Sequence, residues 1–374
     1  MTPASGRPTL LVVGDTLDLG GTEGQFKELA CRLDRKRWDL EIACVRPEGP
    51  LLKPIEAAGL QPWRCGPPSF KSPLLLAAIV TLARRLRARG VDVLHSFGFY
   101  SNILTLPAAR LAGVRVVVGS QRDLGNLRRP AERMLHGWAL RLATDILVNS
   151  AAVKERIVEA HGASSHRITV VPNGVDLDRF SPRQAPRPAG PELIVGAVSN
   201  LRPEKGLDHL VQAVGLVRDS GRTVRLVIHG EGPLRRDLEV LVAGLQLEAW
   251  VSLPGSTREP ETALRGLDVF VLPSLSEACS NGLMEAMATA LPVIATSVGG
   301  NPGLVQHEAT GLLAPAGDPG ALAHAIVRLA ENPTMAAELG ERARTHARAQ
   351  FGMDQMVSRT EALYARSLGG AAAL

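Results

Sequence analysis

The sequence predicts an α/β protein of two Rossmann-like domains that face each other across a cleft. Short apolar runs alternate with stretches of helix-forming residues, a pattern typical of parallel sheets covered by helices. The 374 residues exceed one ordinary domain, and a proline-rich segment without periodicity, SPRQAPRPAG (181–190), lies between the halves. We therefore predict an N-terminal domain over 1–180 and a C-terminal domain over 181–351. A helix in 352–374 is expected to cross back onto the first domain.

The strands are predicted from apolar runs of strand length that end in turn residues. In the first half these runs are TLLVVGD (9–15), LEIACVR (40–46), VDVLHSF (91–97), VRVVVGS (114–120), DILVNS (145–150) and ITVVPN (168–173). In the second half they are LIVGAVS (193–199), VRLVIHG (224–230), VSLPG (251–255), VFVLPS (269–274), PVIATS (292–297) and GLLAP (311–315).

Composition excludes several classes of protein. No stretch is long and apolar enough to span a membrane, and the first apolar run reads as a strand, not a signal peptide. The four cysteines share no metal-ligand spacing and fit a reducing compartment, so we expect a cytoplasmic protein. Residues 1–180 carry 25 Lys and Arg against 17 Asp and Glu, whereas residues 181–374 carry 17 against 20. The basic clusters lack interleaved aromatic residues, which argues against a nucleic-acid partner.

A basic amphipathic helix is predicted over SPLLLAAIVTLARRLRARG (72–90). An apolar stripe runs along one face, and arginines cluster at the C-terminal end, where they also suit the helix dipole. Two interpretations stay open: solvated arginines on a helix that packs against the sheet, or a peripheral contact with anionic lipid. The stripe consists of Leu75, Ile79, Leu82 and Leu86, and the arginines are Arg84, Arg85, Arg87 and Arg89.

Two glutamates flank a predicted helix start in SEACSNGLMEAMA (276–288). Glu277 lies in the loop after a strand, and Glu285 lies in the first turns of the helix that Ser280 or Asn281 caps. Open α/β sheets bind ligands at the carboxyl ends of their strands, and free amides at a helix start bind anions. Two hydroxyl acceptors beside such a phosphate site indicate a sugar nucleotide.

A basic pair follows the first strand of the second half in NLRPEKG (200–206). Arg202 and Lys205 offer a planar fork of donors and a point charge, a suitable clamp for a diphosphate. By itself this segment is more typical of an exposed basic turn. Its place opposite the glutamate-bearing loop favours the diphosphate interpretation.

The first half offers weaker signals. The loop GDTLDLGGTEGQ (14–25) contains Gly20 and Gly21, which allow a phosphate or sugar to approach the backbone, but it also fits a flexible turn. It is not the G-x-G-x-x-G fingerprint of dinucleotide enzymes, so a nicotinamide-dependent oxidoreductase is disfavoured. His95 ends a strand and is expected at the edge of the sheet. Asp176 and Asp178 match a D-x-D metal spacing, but beside the interdomain segment they are interpreted as hinge structure, and no metal site is expected.

These motifs together resemble the retaining glycosyltransferases of family 4, which have the GT-B fold. The resemblance rests on E-x₇-E in SEACSNGLMEAMA, on NLRPEKG, GGTEGQ and VPNGVD, and on GEGPLRRDLE, DVFVLPS and LPVIATSVGGNPGLV, all in family order. It covers nearly the whole chain. Three positions depart from the family pattern: Ala278 and Ala290 replace glycines, and Gly303 stands where an acidic residue is common.

The resemblance implies roles for these residues. Arg202 and Lys205 would hold the donor diphosphate, Glu285 the ribose and Glu277 the sugar hydroxyls, while His95 would touch the sugar near the reacting carbon. Four of these residues form the expected catalytic set: Glu277, His95, Arg202 and Lys205. The other expected donor contacts are Gly20, Gly21, Gly230, Glu231, Ser280, Asn281, Gly282 and Leu283.

The predicted activity is metal-independent sugar transfer with retention, as in polysaccharide biosynthesis. No cofactor is expected besides the donor, for which UDP is favoured over GDP or ADP. The acceptor would be a glycan, a lipid-linked sugar or a small molecule, reached with or without an anionic membrane surface. The alternatives are a nucleotide-sugar epimerase or sugar phosphorylase of the same fold, or a non-catalytic protein that binds sugar nucleotides.

Overall fold

The computed structural model describes residues 6–67, 70, 74–184 and 192–371. Most of the predicted interdomain segment 181–190 therefore lies outside the described residues. The chain divides into two compact units: one runs to Gly174 and resumes at Met353, and the other is Val175–Gly352. The expected division at 180 falls shortly after the observed one. The helix predicted in 352–374 belongs to the first unit.

Both units are built on parallel sheets, as the sequence predicts. The strands of the first unit are β1 (Thr9–Gly14), β2 (Asp39–Cys44), β3 (Trp63–Arg64), β4 (Val93–Ser96), β5 (Val116–Gln121), β6 (Asp145–Val148) and β7 (Ile168–Val170). Those of the second unit are β8 (Leu193–Val198), β9 (Val224–His229), β10 (Val251–Gly255), β11 (Val269–Leu272), β12 (Val293–Thr296) and β13 (Leu312–Ala314). Within the described residues the strand orders are β3-β2-β1-β4-β5-β6-β7 and β10-β9-β8-β11-β12-β13.

Helices connect the strands in both units. In the first unit they are α1 (Gly21–Arg32), α2 (Leu52–Ala57), α3 (Leu74–Arg89), α4 (Phe99–Ala112), α5 (Pro130–Arg141) and α6 (Ala151–His161). In the second they are α7 (Leu207–Asp219), α8 (Arg235–Gly244), α9 (Pro260–Arg265), α10 (Asn281–Ala288), α11 (Asn301–Leu304), α12 (Pro319–Glu331) and α13 (Pro333–Gln350). The last helix, α14 (Met353–Ala371), returns to the first unit.

The strand orders create a topological switch point in each sheet. In the first sheet β1 lies between β2 and β4, and in the second β8 lies between β9 and β11. Loops that leave the two strands on either side of such a point turn to opposite faces of the sheet, which opens a crevice at the carboxyl ends. The loops after β1, β4, β8 and β11 are therefore where each unit should bind a ligand.

The returning helix α14 completes the core of the first unit. The Tyr364 side chain is fully buried and packs edge-on against the Trp38 indole, with ring centroids 5.7 Å apart. The Trp38 indole N–H donates to the Glu361 carboxylate over 3.0 Å. Because aromatic side chains bury large apolar areas, this helix contributes strongly to the stability of the unit.

The amphipathic helix predicted over 72–90 appears as α3, and its first residues lie outside the described part of the chain. Ile79, Leu82 and Leu86 are buried, as the stripe predicts, and Leu75 is half-buried. Leu74, Leu76 and Val80 remain exposed on the same helix.

The arginines of α3 are largely engaged with the first unit itself. The Arg85 guanidinium lies 3.6 Å from the centroid of the Trp63 ring, and Arg87 donates to the Leu111 carbonyl oxygen over 2.6 Å. Arg89 forms an ion pair with Glu41. The interpretation of these arginines as parts of a packed helix therefore has direct structural support.

Candidate functional site

The second unit brings the two predicted donor-binding loops together. Strands β8 and β11 are adjacent, with Val195 opposite Val269. The backbone N–H groups of Leu275 and Ser276, in the loop after β11, donate to the Glu204 carbonyl oxygen in the loop after β8 over 2.8 and 3.3 Å. Two loops that are distant in sequence thus form one surface at the switch point.

A single glycine permits this close packing. Gly206 has a left-handed backbone with φ +58°, and a Cβ at this position would collide with the Pro273 carbonyl oxygen. Only glycine satisfies both conditions without strain. The residue just before it, Lys205, is thereby held against the loop that carries Glu277.

Lys205 and Glu277 form an ion pair at the centre of this surface. The Lys205 Nζ lies 2.6 Å from Glu277 Oε2, and the Ser274 hydroxyl donates to the same oxygen over 3.3 Å. Both charged side chains are mostly buried, at 21% and 11% exposure, and Gly300 N–H donates to the Glu277 carbonyl oxygen over 3.0 Å. The carboxylate is thus oriented, and its other oxygen, Oε1, has no partner within the described part of the unit.

Helix α10 begins beside this pair. Ser280 is the N-cap, and its hydroxyl accepts from the Leu283 N–H over 3.2 Å, as the sequence predicts. A Cβ on Gly282 would lie only 3.1 Å from the Val198 carbonyl oxygen, so the helix start is packed tightly against the end of β8. The amides of the first helical turn carry the partial positive charge that binds anions.

Glu285 lies one turn further along α10 and has an unusual environment. Its side chain is half-buried and makes no hydrogen bond or ion pair with the described residues. Burial raises the pKa of Glu285 to about 7, against a partial opposing effect of Arg179 and a further increase from Glu261. A carboxyl group with a raised pKa and no partner among the described residues is a candidate for binding ligand hydroxyls.

The other predicted donor contacts of the second unit occupy varied positions. Arg202 is exposed at the start of the short 3₁₀ turn Pro203–Lys205, and its guanidinium has no partner among the described side chains. Gly230 is buried, and a Cβ there would overlap the Ser199 carbonyl oxygen in the loop after β8. Glu231 is exposed and forms a forked ion pair with Arg235, with distances of 2.8 and 2.9 Å. Its carboxylate is therefore directed to a surface arginine.

The departures from the family pattern have visible structural effects. Ala290 adopts φ +60°, the left-handed conformation that glycine would adopt without strain. A Cβ on Gly303 would meet no atom within 4 Å, so a longer side chain fits there. Ala278, which follows Glu277 in the sequence, is buried, with 8% of its surface exposed.

The D-x-D pair has a local structural role. The Asp176 carboxylate accepts from the backbone N–H groups of Asp178 and Arg179 over 3.2 and 3.1 Å, which fixes a turn. In the ranges that the structure describes, no three His, Cys, Asp or Glu side chains are grouped as they would be around a metal ion.

In the first unit, the glycine loop lies in acidic surroundings. Gly20 caps the start of α1, and a Cβ there would overlap the Glu23 carboxylate. Burial raises the pKa of Glu23, and the charges of Asp15 and Asp18 raise it further. Gly20 and Gly21 are exposed at a helix start, but a phosphate here would have to displace or neutralise Glu23.

The expectation that His95 lies at the edge of the sheet, available to a donor sugar, is wrong. The ring is fully buried, with Nδ1 2.5 Å from the Tyr364 hydroxyl and Nε2 2.7 Å from the Ser120 hydroxyl. Burial lowers the pKa of His95 to about 3, and the nearby Arg122 lowers it further. One nitrogen is occupied by Tyr364 of α14 and the other by Ser120 of β5, so this neutral histidine holds α14 and β5 in place.

Asp15 is the polar residue that the sequence analysis missed at this switch point. It follows β1 directly, and its carboxylate accepts from the Tyr100 and Ser101 N–H groups over 3.1 and 2.7 Å, at the start of α4. Burial raises the pKa of Asp15, although these hydrogen bonds oppose the rise. A carboxylate directly after the first strand was the sequence signal that would have indicated it.

Comparison with known proteins identifies the family. Residues 19–179 match the model for Glycosyltransferase Family 4, and residues 192–332 match that for Glycosyl transferases group 1. The 2-deoxystreptamine glucosyltransferase of Streptomyces kanamyceticus is 31% identical, over 79% of this chain and 81% of its own length. The UDP-Gal:α-D-GlcNAc-diphosphoundecaprenol α-1,3-galactosyltransferase of Escherichia coli is 27% identical, over 81% and 83%.

The fold has a close counterpart among solved structures. The crystal structure of Anabaena HepE in complex with UDP superposes with a TM-score of 0.83 at 18% identity, covering 96% of this chain and all of that one. This likeness agrees with the two parallel sheets described above. The chain therefore belongs to the family 4 glycosyltransferases, and it is an enzyme with their GT-B fold of two Rossmann-like domains.

Proposed function

We propose that this glycosyltransferase uses a nucleoside-diphosphate sugar, retains the anomeric configuration and needs no metal. The observation that carries the proposal is the arrangement in the second unit. A Lys205–Glu277 ion pair lies at the start of α10, and Arg202 and Glu285 lack protein partners within the described residues. Together these groups supply two cations, a helix start and two carboxylates for one ligand.

Each part of the donor has a counterpart in this arrangement. The diphosphate is bound by Arg202, Lys205 and the amides of α10, since planar guanidinium, ammonium and helix start all favour phosphate. The ribose hydroxyls donate to Glu285, and hydroxyls of the sugar donate to the free oxygen of Glu277. UDP is the favoured nucleotide, because HepE was solved with UDP and the E. coli relative is named for UDP-Gal.

The chemistry follows from where negative charge develops. The bond from the anomeric carbon to the diphosphate breaks with its electron pair passing to the phosphate oxygen, and the acceptor oxygen attacks from the same face. The acceptor's proton passes to that leaving phosphate oxygen. Arg202, Lys205 and the α10 amides stabilise the growing charge, a form of electrostatic catalysis that requires no metal.

Three measurements test the proposal. Isothermal titration calorimetry should detect UDP binding that Lys205→Ala and Glu285→Gln weaken. Proton NMR of the early product should show the same anomeric configuration as the donor. Turnover should persist in excess EDTA; complete loss that Mn²⁺ or Mg²⁺ restores would refute the metal-free mechanism and favour the Asp176–Asp178 alternative.

Peripheral contact with an anionic membrane is a further part of the proposal. No helix of the described residues is long and apolar enough to cross a bilayer. Exposed Leu74 (55%) and Leu76 (71%) on α3, followed by the exposed Arg84, support a surface contact instead. In liposome flotation, the protein should rise with anionic vesicles at low salt and remain behind with neutral ones. Equal flotation with anionic and neutral vesicles, or flotation with neither, would exclude this contact.

A further inference from the structure

A large groove lies along α5 in the first unit. Its volume is about 580 Å³, and it is lined by the loop after β5 and by helices α5 and α6. We call it the α5 groove. The lining residues that matter below are Gln121, Arg133, Met134, Trp138, Arg141 and Arg156.

The α5 groove is strongly cationic. Arg128, Arg133, Arg141 and Arg156 all line it, and none of its lining residues is acidic. Arg128 is neutralised by Asp123, over 2.6 Å. Arg133 and Arg141 donate only to carbonyl oxygens, over 3.0 and 3.2 Å.

The positive charge in the groove is therefore uncompensated. Arg133, Arg141 and Arg156 have no carboxylate partner within the described part of the chain. The pKa of His161, which also lines the groove, responds to the same positive charge. Burial lowers the pKa of His161, and the charges of Arg141, Arg156 and Arg128 lower it further. Such a concentration of arginines is suited to phosphate groups.

The same groove exposes large apolar side chains. Met134 is 73% exposed, Trp138 49% and Leu135 42%, all on α5. Covering exposed apolar area is favourable, and a purely hydrophilic ligand would not cover these side chains. The combination of guanidinium groups and apolar side chains in one groove matches an amphiphile with an anionic head.

A buried amide marks one end of the groove. Gln121 ends β5, is 4% exposed, and donates from Nε2 to the Asp123 carbonyl oxygen over 3.0 Å. Its Oε1 is buried and has no hydrogen-bond partner within the ranges described. This acceptor lies at the carboxyl end of a strand, the edge where α/β sheets bind ligands.

We propose that the α5 groove binds the acceptor, and that the acceptor is a sugar joined through phosphate or diphosphate to a lipid chain. Gln121 accepts a hydrogen bond from the acceptor sugar. Arg133, Arg141 and Arg156 bind the phosphate groups, and Met134, Leu135 and Trp138 contact the first part of the chain. This inference rests on the proposed glycosyltransferase site for the donor and names the class of its second substrate.

The test uses farnesyl diphosphate as the probe, with inorganic diphosphate and farnesol as its separate parts. Titrations are made by calorimetry at saturating UDP, so that the donor site is occupied. Farnesyl diphosphate should bind at least about tenfold more tightly than either part. The Arg133→Ala/Arg156→Ala double variant should bind farnesyl diphosphate about tenfold or more weakly, as should Trp138→Ser. Lys53→Ala, which removes an exposed cation on α2, should bind it like the wild type.

Each result bears on the proposal. Equal binding of farnesyl diphosphate and inorganic diphosphate would overturn the lipid-linked acceptor. Unchanged binding of farnesyl diphosphate by the double variant would also overturn the proposal. If that variant then loses only its attachment to anionic vesicles, the groove is a membrane contact instead. If the wild type binds the probe but not UDP, the donor proposal fails and the groove assignment stands. If it binds UDP but not the probe, the groove assignment fails alone.

Discussion

Replacing Glu285 by glutamine should stabilise the protein and weaken its donor binding at the same time. Burial raises the pKa of Glu285 from 4.5 to about 7, so the folded state holds this proton more tightly than the unfolded state does. The contribution of Glu285 to the free energy of unfolding must then fall as pH rises from about 4.5 to about 7, and stay low above that. The difference between the two pKa values corresponds to roughly 3 kcal/mol.

Glutamine removes the charge but keeps the shape. Above pH 7 we expect Glu285→Gln to raise the free energy of unfolding by about 2 kcal/mol, since the buried amide costs about 1 kcal/mol of the gain. Near pH 4.5 the two proteins should be equally stable, or the variant slightly less so. UDP affinity should fall about tenfold, because a carboxylate that accepts from ribose hydroxyls is lost.

Urea unfolding at pH 5 and pH 8, with UDP calorimetry at pH 8, measures both effects. Glu248→Gln is the matched control, because Glu248 is an exposed carboxylate of the same unit and has no ion pair in the described structure. It should change stability by no more than about 0.5 kcal/mol. A stability difference between Glu285→Gln and the wild type that is the same at pH 5 and at pH 8 would refute the burial argument. Unchanged UDP affinity in Glu285→Gln would refute the ribose assignment.

Three further predictions concern the diphosphate site, two strained backbone positions and His95. Lys205→Ala and Arg202→Ala should each reduce kcat about a hundredfold, because stabilisation of the leaving group's charge is lost. The control variant Arg236→Ala on α8 should keep its kcat. Near-normal turnover in both Lys205→Ala and Arg202→Ala would remove the diphosphate assignment. Ala290→Gly and Gln246→Gly should each raise the free energy of unfolding by about 1 kcal/mol in urea titrations, because both residues have a left-handed backbone, with φ 60° and 56°. A lower free energy of unfolding in both variants would contradict the strain argument. His95→Leu should lower the free energy of unfolding by about 2 kcal/mol and leave UDP affinity unchanged, because the role of His95 is to join α14 to β5. A variant that is as stable as the wild type but inactive would restore a catalytic role for His95.

The periodicity of the sequence predicted most of the fold. All of the apolar runs became strands, since buried parallel strands need continuous apolar residues that are visible locally. Only β3, with the two residues Trp63 and Arg64, was not predicted, because two residues carry no periodicity. The approach of Lys205 to Glu277 could also be anticipated, because strand–helix alternation places both loops at one edge of a sheet.

Features that depend on contacts between distant segments were not predictable. His95 was misjudged because Tyr364, far along the chain, returns on α14 to cover the strand end. The sequence shows that basic residues cluster in the first half, but it does not show that Arg133 of α5 shares a groove with Arg156 and His161 of α6. Asp15 has one local signal, its place directly after the first strand, but its contacts with Tyr100 and Ser101 join residues 85 and 86 positions apart.

The return of α14 to the first unit affects the order in which the protein can fold during synthesis. Met356, Val357, Leu363 and Tyr364 belong to the same buried cluster as Leu10 and Val12 of β1, so that core stays incomplete until the last helix leaves the ribosome. The unit of Val175–Gly352 is continuous in sequence and has its own core. The usual N-terminal-first order of folding therefore does not apply to the first unit. The unit of Val175–Gly352 can mature before it, while the opening segment keeps apolar surface exposed.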